Sequence, residues 1–283
     1  MEIKIIQKNL DLLGEGPTYN KNLNSIYWVD IDGQKYHYIN LSNLNKINTI
    51  SVNGPISSIV STTNIYMAAT ICHDFYILYN SRNLKKLISI NEGNSDTRFN
   101  DGKVDPFGAY VAGTLDKNKK NPISALYRYN GNKVTKILDK LKISNGLAWD
   151  IDKHIFYHID TPERNVKAYL YGSEMKLDYL EVAIDFKQEL GNPDGMTIDA
   201  DGHLWIAHYG GSHISVWNPL NHKKITSIKF PASNITSCTF AGDNLNYLFV
   251  TSAKNNNSFD LGGSLFMLKT DINGCLPFNF KIS

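Results

Sequence analysis

The sequence predicts an all-β chain closed into a six-bladed β-propeller, and three observations predict it. Short runs in which β-branched and aromatic residues alternate with polar ones recur along the chain: SIYWVDI from Ser25, YHYINL from Tyr36, ALYRYN from Ala125 and ISVWN from Ile214. No long segment carries a 3.6-residue apolar period, which argues against two α/β domains. A strand–turn–strand pattern repeats about every 40–50 residues, the sequence signature of a propeller or solenoid array.

Taken in order, the repeats are LGEGPTYNKNLNSIYWVD from Leu13, GPISSIVSTTNIYMAAT from Gly54, RFNDGKVDPFGAYVAGT from Arg98, SNGLAWDIDKHIFYHID from Ser144, NPDGMTIDADGHLWIAHYGG from Asn192 and NITSCTFAGDNLNYLFVTS from Asn234. Each opens on small residues and a brief apolar run. A turn rich in Asp, Asn and Gly follows, then a strand centred on aromatic residues. One leading residue per repeat, namely Glu15, Ser57 (or Ser58), Asn100, Asn145, Asp194 and Thr236 (or Ser237), gives spacings of 42, 43, 45, 49 and 42 residues. Six copies leave room for about four strands each, hence six blades around a channel, with residues 1–283 expected to form one domain. Ring closure removes the exposed sheet edges that invite aggregation. MEIKIIQ and GSLFMLKT, from opposite ends of the chain, are expected to share the terminal blade and lock the ring.

Composition bounds the function. The 283 residues are 42% hydrophobic and 20% charged, with a formal net charge of +2. The longest basic cluster, Lys117 to Lys120, sits in a polar loop and reads as a solvated turn, so no nucleic-acid partner is expected. No run of 18 apolar residues occurs, so no membrane span is expected. The first residues are too short and too charged for a signal peptide, and the three cysteines, Cys72, Cys238 and Cys275, form no C-x-x-C pair; both point to a reduced, cytoplasmic protein. The Asn-x-Ser/Thr sequons at Asn40, Asn234 and Asn256 read as chance matches in an Asn-rich chain.

In a propeller the innermost strand of each blade lines the channel, so the six leading residues are expected at one mouth. All six carry a side-chain oxygen, and Glu15 and Asp194 are carboxylates. Converging oxygens with two negative charges suit a hard divalent cation: Ca²⁺ above all, with Mg²⁺, Mn²⁺ or Zn²⁺ as alternatives. Without a cation, two buried carboxylates repel and one takes a proton. For any one leading residue, Asp or Asn before Gly is also ordinary turn chemistry; the in-phase recurrence is what favours a site. No G-x-S-x-G elbow and no Ser/His/Asp set is present, which argues against a covalent acyl-enzyme.

GEGPTY at 14–19, RFNDGKVDPFGAYVAGT at 98–114, SNGLAWD at 144–150, PDGMTIDADGHLWIA at 193–207 and Gly210-Gly211 together resemble the regucalcin (senescence marker protein)/gluconolactonase family, which includes the firefly luciferin-regenerating enzyme. The similarity runs in order along nearly the whole chain. It implies a six-bladed propeller with one divalent cation in the channel, hydrolysing sugar lactones or related esters. By motif, the resemblance puts the metal ligands on Glu15, Asn145 and Asp194 and the substrate contacts on Arg98 and Asn100. Asp101 is placed near the site, toward substrate or a second cation, although it could simply form the Asp-Gly-Lys turn. Where vertebrate members carry a substrate-binding Glu, this chain has Asn118, with Asp116 as a substitute if the loop shifts. His208 is expected near the channel, touching substrate or only packing; His154 and His158 show no ligand spacing.

The expected activity is hydrolysis of a small-molecule lactone by a monomer or weak homodimer. The cation polarises the carbonyl, Asp194 serves as general base or yields that role to metal-activated water, and Arg98 offers paired hydrogen bonds to a polyhydroxylated ring. Three alternatives use the same ring: a non-catalytic calcium-binding regulator, an arylesterase or phosphotriesterase, and a scaffold that binds partners on its rim.

Overall fold

The computed structural model describes residues 2–80, 83–90, 96–255 and 260–282. Strand β1 (Ile3–Gln7) is followed by β2 (Gly14–Asn20), β3 (Ser25–Asp30), β4 (Lys35–Asn40) and β5 (Ile47–Ser51), and then by β6 (Ile56–Ser61), β7 (Met67–Ile71), β8 (Asp74–Asn80) and β9 (Asn83–Ser89). Next come β10 (Thr97–Val104), β11 (Tyr110–Asp116), β12 (Ser124–Tyr129) and β13 (Val134–Leu141), then β14 (Ser144–Asp150), β15 (Ile155–Asp160), β16 (Asn165–Tyr171) and β17 (Leu177–Asp185). The last strands are β18 (Asn192–Ile198), β19 (Leu204–Tyr209), β20 (His213–Asn218), β21 (Lys223–Lys229), β22 (Asn234–Ala241), β23 (Tyr247–Ala253) and β24 (Leu265–Lys269). Among the described residues, helix is confined to two single 3₁₀ turns, Thr161–Glu163 and Ser173–Met175.

The strands form a propeller-like array of antiparallel meanders. Four sheets have four strands each, in chain order from β2, β6, β10 and β14. The remaining strands make one eight-stranded sheet, in which the meander β18 to β21 joins the run β22–β23–β24–β1 through a single pairing, Tyr209 with Asn234. The two chain ends meet as the sequence predicts: Ile3 pairs with Leu268 and Ile5 with Phe266.

Burial grades outward within each meander. β6, β14 and β22 are buried at every position, whereas β5 and β13 are half-buried to exposed and β21 is largely exposed. First strands are therefore rich in small and apolar residues, while outer strands carry charges such as Lys223, Lys224 and Lys229 that discourage edge-to-edge pairing. β2 packs on β6, β6 on β10, β10 on β14, β14 on β18, β18 on β22, and β22 back on β2, so contacts run round a closed circle. The core lies between neighbouring sheets. Val29 and Tyr36 pack with Ile59, Met67 and Ala69, and the first sheet meets the last through Ile26, Trp28, Phe249 and Leu265.

Residues 274–281 cross the other end of the first strands. Gly274 bridges to Asp199 after β18, Phe280 N–H donates to the Ser61 carbonyl at the end of β6 (2.8 Å), and Lys281 N–H donates to Gly108 beyond β10 (2.9 Å). This non-repeating strap was not expected from the sequence. The three cysteines are free thiols. Lys117 to Lys120 lie on an exposed turn, and Asn256 falls outside the described residues. Among the described residues, no helix is long and apolar enough to cross a membrane.

Candidate metal and substrate site

The leading residues are not in turns. Each lies in the first strand of its meander, and in every one of those strands the register with the next strand slips at that point: between Glu15 and Thr18, Ile56 and Ser58, Phe99 and Gly102, Asn145 and Leu147, Pro193 and Met196, and Ile235 and Ser237. A bulge re-aims side chains that a regular ladder would send into the faces between sheets. The glycine that follows a leading residue has a packing reason. A Cβ on Gly146 would come within 2.7 Å of the Asp194 carbonyl oxygen, and one on Gly195 within 2.2 Å of Ser237 Oγ. Asn-Gly and Asp-Gly mark close approach of neighbouring first strands, not turn chemistry.

Glu15, Asn145, Asp194 and Asp101 are all buried, and the three carboxyls act on one another. Burial, then the Asp194 charge, then that of Asp101 hold the Glu15 carboxyl well above the usual range. Asp194 is likewise raised, by burial and then by Asp101, against hydrogen bonds from Asn145 and from Gly195 N–H. Burial also raises Asp101, opposed by Lys103 and the Gly102 N–H. Asn145 Nδ2 donates to Thr161 Oγ1 (3.0 Å), and Thr161 Oγ1 donates to the Pro193 carbonyl (2.9 Å). Asn145 Oδ1 and Asp101 Oδ2 are buried with no hydrogen-bond partner. Two orphaned oxygens beside carboxyls raised by burial and then by neighbouring carboxylates are what a hard cation would satisfy, so the oxygen donor set fits one.

Arg98 acts electrostatically on Glu15. Its Nη1 donates to the Phe99 carbonyl (2.8 Å) and to Asn100 Oδ1 (3.3 Å), while Asn100 Nδ2 donates to the Ser144 carbonyl (3.0 Å). Asn100 thus ties Arg98 to the start of β14. Asn118 is exposed on the turn after β11, where its backbone N–H donates to Asp116 Oδ1 (2.9 Å). Asp116 also accepts from the N–H groups of Lys120 and Asn121. Its carboxylate organises this loop. The neighbour Lys119 is the loop residue whose charge acts on Asp194.

The other leading hydroxyls hold strands together. Thr236 Oγ1 donates to the Gly14 carbonyl (2.6 Å), and Ser58 Oγ meets Thr70 Oγ1 and the Tyr110 hydroxyl (2.7 and 2.8 Å). His208 is fully buried, 2.7 Å from Ser215 Oγ and stacked on His213, and burial pushes it down to about 3: the packing alternative holds. His158 is pushed to about 3 by the same cause. Sequence reasoning missed Thr161, Lys119 and Tyr209, whose hydroxyl feels the charges of Asp194 and Glu15; none stands in phase with the repeat.

Among the described residues, three acid–histidine groups elsewhere bring ligand atoms within 4.8 Å of one another, and in each of them one acid is already committed. Asp30 accepts from the N–H groups of Leu12, Leu13 and Gly33. Asp199 accepts from His203 N–H and Trp205 Nε1. Glu189 holds Lys224 through both oxygens.

Residues 13–254 match the family described as SMP-30/Gluconolactonase/LRE-like region. The chain belongs to this family. A Bacillus subtilis protein named "Putative sugar lactone lactonase YvrE" is 34% identical over 280 residues, covering 95% of each chain. The solved luciferin-regenerating enzyme superposes with a TM-score of 0.91 at 26% identity, covering 99% of each chain. A calcium-binding protein, regucalcin, from Agrobacterium tumefaciens gives a TM-score of 0.90 at 22% identity over 98% of this chain and 96% of its own. The SMP-30/gluconolactonase resemblance read from the motifs is therefore confirmed over nearly the whole chain.

Proposed function

We propose that this SMP-30/gluconolactonase family member is a divalent-metal-dependent hydrolase of sugar lactones, built as one ring of six four-stranded blades. The circle of contacts from β2 to β22 supports the six-blade reading, with the eight-stranded sheet counted as two blades joined at Tyr209 and Asn234. One observation carries the functional reading: Asn145 Oδ1 is buried without a partner beside two carboxyls raised by burial and by the surrounding carboxylates. Glu15, Asn145 and Asp194 would hold the cation, with Ca²⁺ favoured by an all-oxygen donor set. When bound, it supplies Lewis acidity toward a lactone carbonyl.

The chain's own residues do the rest. Asp194, held by Asn145 and Gly195 N–H, is positioned to take a proton from the attacking water once ionised. Arg98, steadied by Asn100, offers its other N–H groups to substrate hydroxyls. Asn118 and Lys119 bring the β11–β12 loop to the rim, where the substrate of a small-molecule lactonase would be selected.

The test is turnover of several aldonolactones by protein stripped with chelator and restored with Ca²⁺, Mg²⁺, Mn²⁺ or Zn²⁺ singly. Metal-dependent hydrolysis lost in Asp194→Ala and Glu15→Gln is expected. Metal binding without turnover of any lactone would leave a calcium-binding protein and overturn the enzymatic reading.

A further inference from the structure

The downstream halves of the first strands enclose a cavity of about 340 Å³. Its wall is mainly apolar, from Ile59, Val104, Leu147, Trp149, Ile198 and Phe278. The strap of residues 274–281 runs along one side of it through Cys275, Leu276 and Pro277. Ile151 and Leu276 also line it and are 51% and 38% exposed, so apolar surface leads from solvent inward. Asp101 contributes to both regions: it lines this chamber, and its charge acts on Glu15 and Asp194.

One cation faces this apolar space. Lys103, from the same β10 segment as Asp101, lines the cavity, and its Nζ donates to the Met196 carbonyl. Asp101 acts on it through its charge but makes no ion-pair contact among the described residues, and two of the three Lys103 N–H donors are left for another acceptor. An ammonium held among apolar side chains with no carboxylate in contact is costly; burial lowers the affinity of Lys103 for its proton, and the nearby Asp101 charge opposes that shift. A carboxylate brought in by a ligand, in direct contact with the free N–H donors, would lower that cost. Thr18, Thr197 and Thr239 add hydroxyl-bearing residues to the wall.

We propose that this axial chamber is a second ligand site, taking a small amphipathic carboxylic acid whose carboxylate pairs with Lys103 and whose apolar body fills the space between Leu147, Trp149, Ile198 and Phe278. The size is adequate: an apolar cavity of about 150 Å³ takes up benzene, and ligand pockets start at about 300 Å³. The proposal does not depend on lactone hydrolysis: Glu15, Asn145 and Asp194 are not part of the chamber wall, and Asp101 alone is shared between the two regions.

Octanoate is the probe, with 1-octanol as its uncharged counterpart, titrated calorimetrically into the full chain in the presence of Ca²⁺. Saturable one-to-one octanoate binding is expected, weakened about tenfold or more by Lys103→Met, with 1-octanol binding equally to both proteins. Ile198→Trp, which fills the chamber and keeps Lys103, is expected to abolish binding of both probes while thermal unfolding shows it folded. Absence of octanoate binding to the native chain at millimolar concentration overturns the proposal. So does binding that survives both substitutions, or octanoate that is displaced by an aldonic acid rather than by 1-octanol.

Discussion

Thr161 decides which way the Asn145 amide faces. The single hydroxyl proton of Thr161 goes to the Pro193 carbonyl, 2.9 Å away, so the Thr161 oxygen accepts from Asn145 Nδ2 at 3.0 Å. That leaves Asn145 Oδ1 as the atom without a partner. Thr161 sits on the 3₁₀ turn Thr161–Glu163 after β15 and reaches β18 through Pro193, so it also couples two adjacent first strands.

Removing this hydroxyl should weaken cation binding without touching a ligand. In Thr161→Val the amide loses the acceptor that fixes its plane, so Oδ1 is no longer held in one direction. Partners of metal ligands typically contribute 10- to 100-fold in affinity, so a loss of about tenfold in Ca²⁺ affinity is expected by calorimetric titration. Thr161→Ser, which keeps the oxygen, should restore most of it. Equal affinity in the Val variant and the native protein would remove Thr161 from the site.

The raised carboxyls make stability depend on pH in a direction opposite to that of paired surface acids. Glu15 and Asp194 hold their protons more tightly folded than unfolded. Unfolded carboxyls titrate near 4. From there up to the raised folded values, the unfolded state sheds protons that the folded state keeps, so the metal-free protein loses stability as pH climbs. Above the folded values the penalty is constant. Melting temperature in chelator should fall between pH 5 and pH 8, and Asp194→Asn should fall less steeply while being more stable at pH 8. Ca²⁺ should remove the slope and release protons on binding, read as a dependence of the calorimetric heat on buffer ionisation. A flat chelator profile for the native chain would contradict the raising of these two groups by burial and by neighbouring carboxylates.

The loop after β11 gives a separate handle on substrate. Asp116 holds it by accepting three backbone N–H groups, from Asn118, Lys120 and Asn121. Asp116→Ala frees those donors to water, so global stability should change little, but Asn118 and Lys119 lose their fixed place. The expected outcome is a KM for the best aldonolactone raised severalfold with Ca²⁺ affinity unchanged. A variant that instead loses Ca²⁺ affinity in parallel would mean that the loop supports the cation site itself.

How much of this was legible in the sequence depended on phase. Glu15, Asn145 and Asp194 stand at equivalent points of a repeat, so their convergence followed from counting residues, and the terminal pairing of β1 with β24 followed from the leftover strand at each end. The bulges did not, because a register slip is invisible until the partner strand is known. Thr161 and Lys119 lie in loops whose lengths differ between repeats, and no period marks them. The strap of residues 274–281 has no counterpart in any repeat. Asn-Gly and Asp-Gly were legible as pairs but carry two physical meanings, and only the distances to neighbouring strands separated them.

Gly146 offers the sharpest test of that distinction. Were Asn145-Gly146 a turn, Gly146→Ala would cost little unless a positive φ were required, and Gly146 has no positive φ. In the folded ring a Cβ there would lie 2.7 Å from the Asp194 carbonyl oxygen and 2.8 Å from Ile159 Cδ1. The Ile159 side chain can turn away, but the Asp194 backbone is fixed in β18 between β14 and β22. The clash must therefore push β14 and β18 apart. Overpacking of this kind costs about 1–3 kcal/mol, so Gly146→Ala should lower the melting temperature by several degrees. Because the displaced atom belongs to Asp194, Ca²⁺ affinity should fall as well, and by more than in Gly172→Ala, where a Cβ meets nothing within 4 Å. Native-like melting and Ca²⁺ binding in Gly146→Ala would return Asn-Gly to the status of an ordinary turn and detach it from the site.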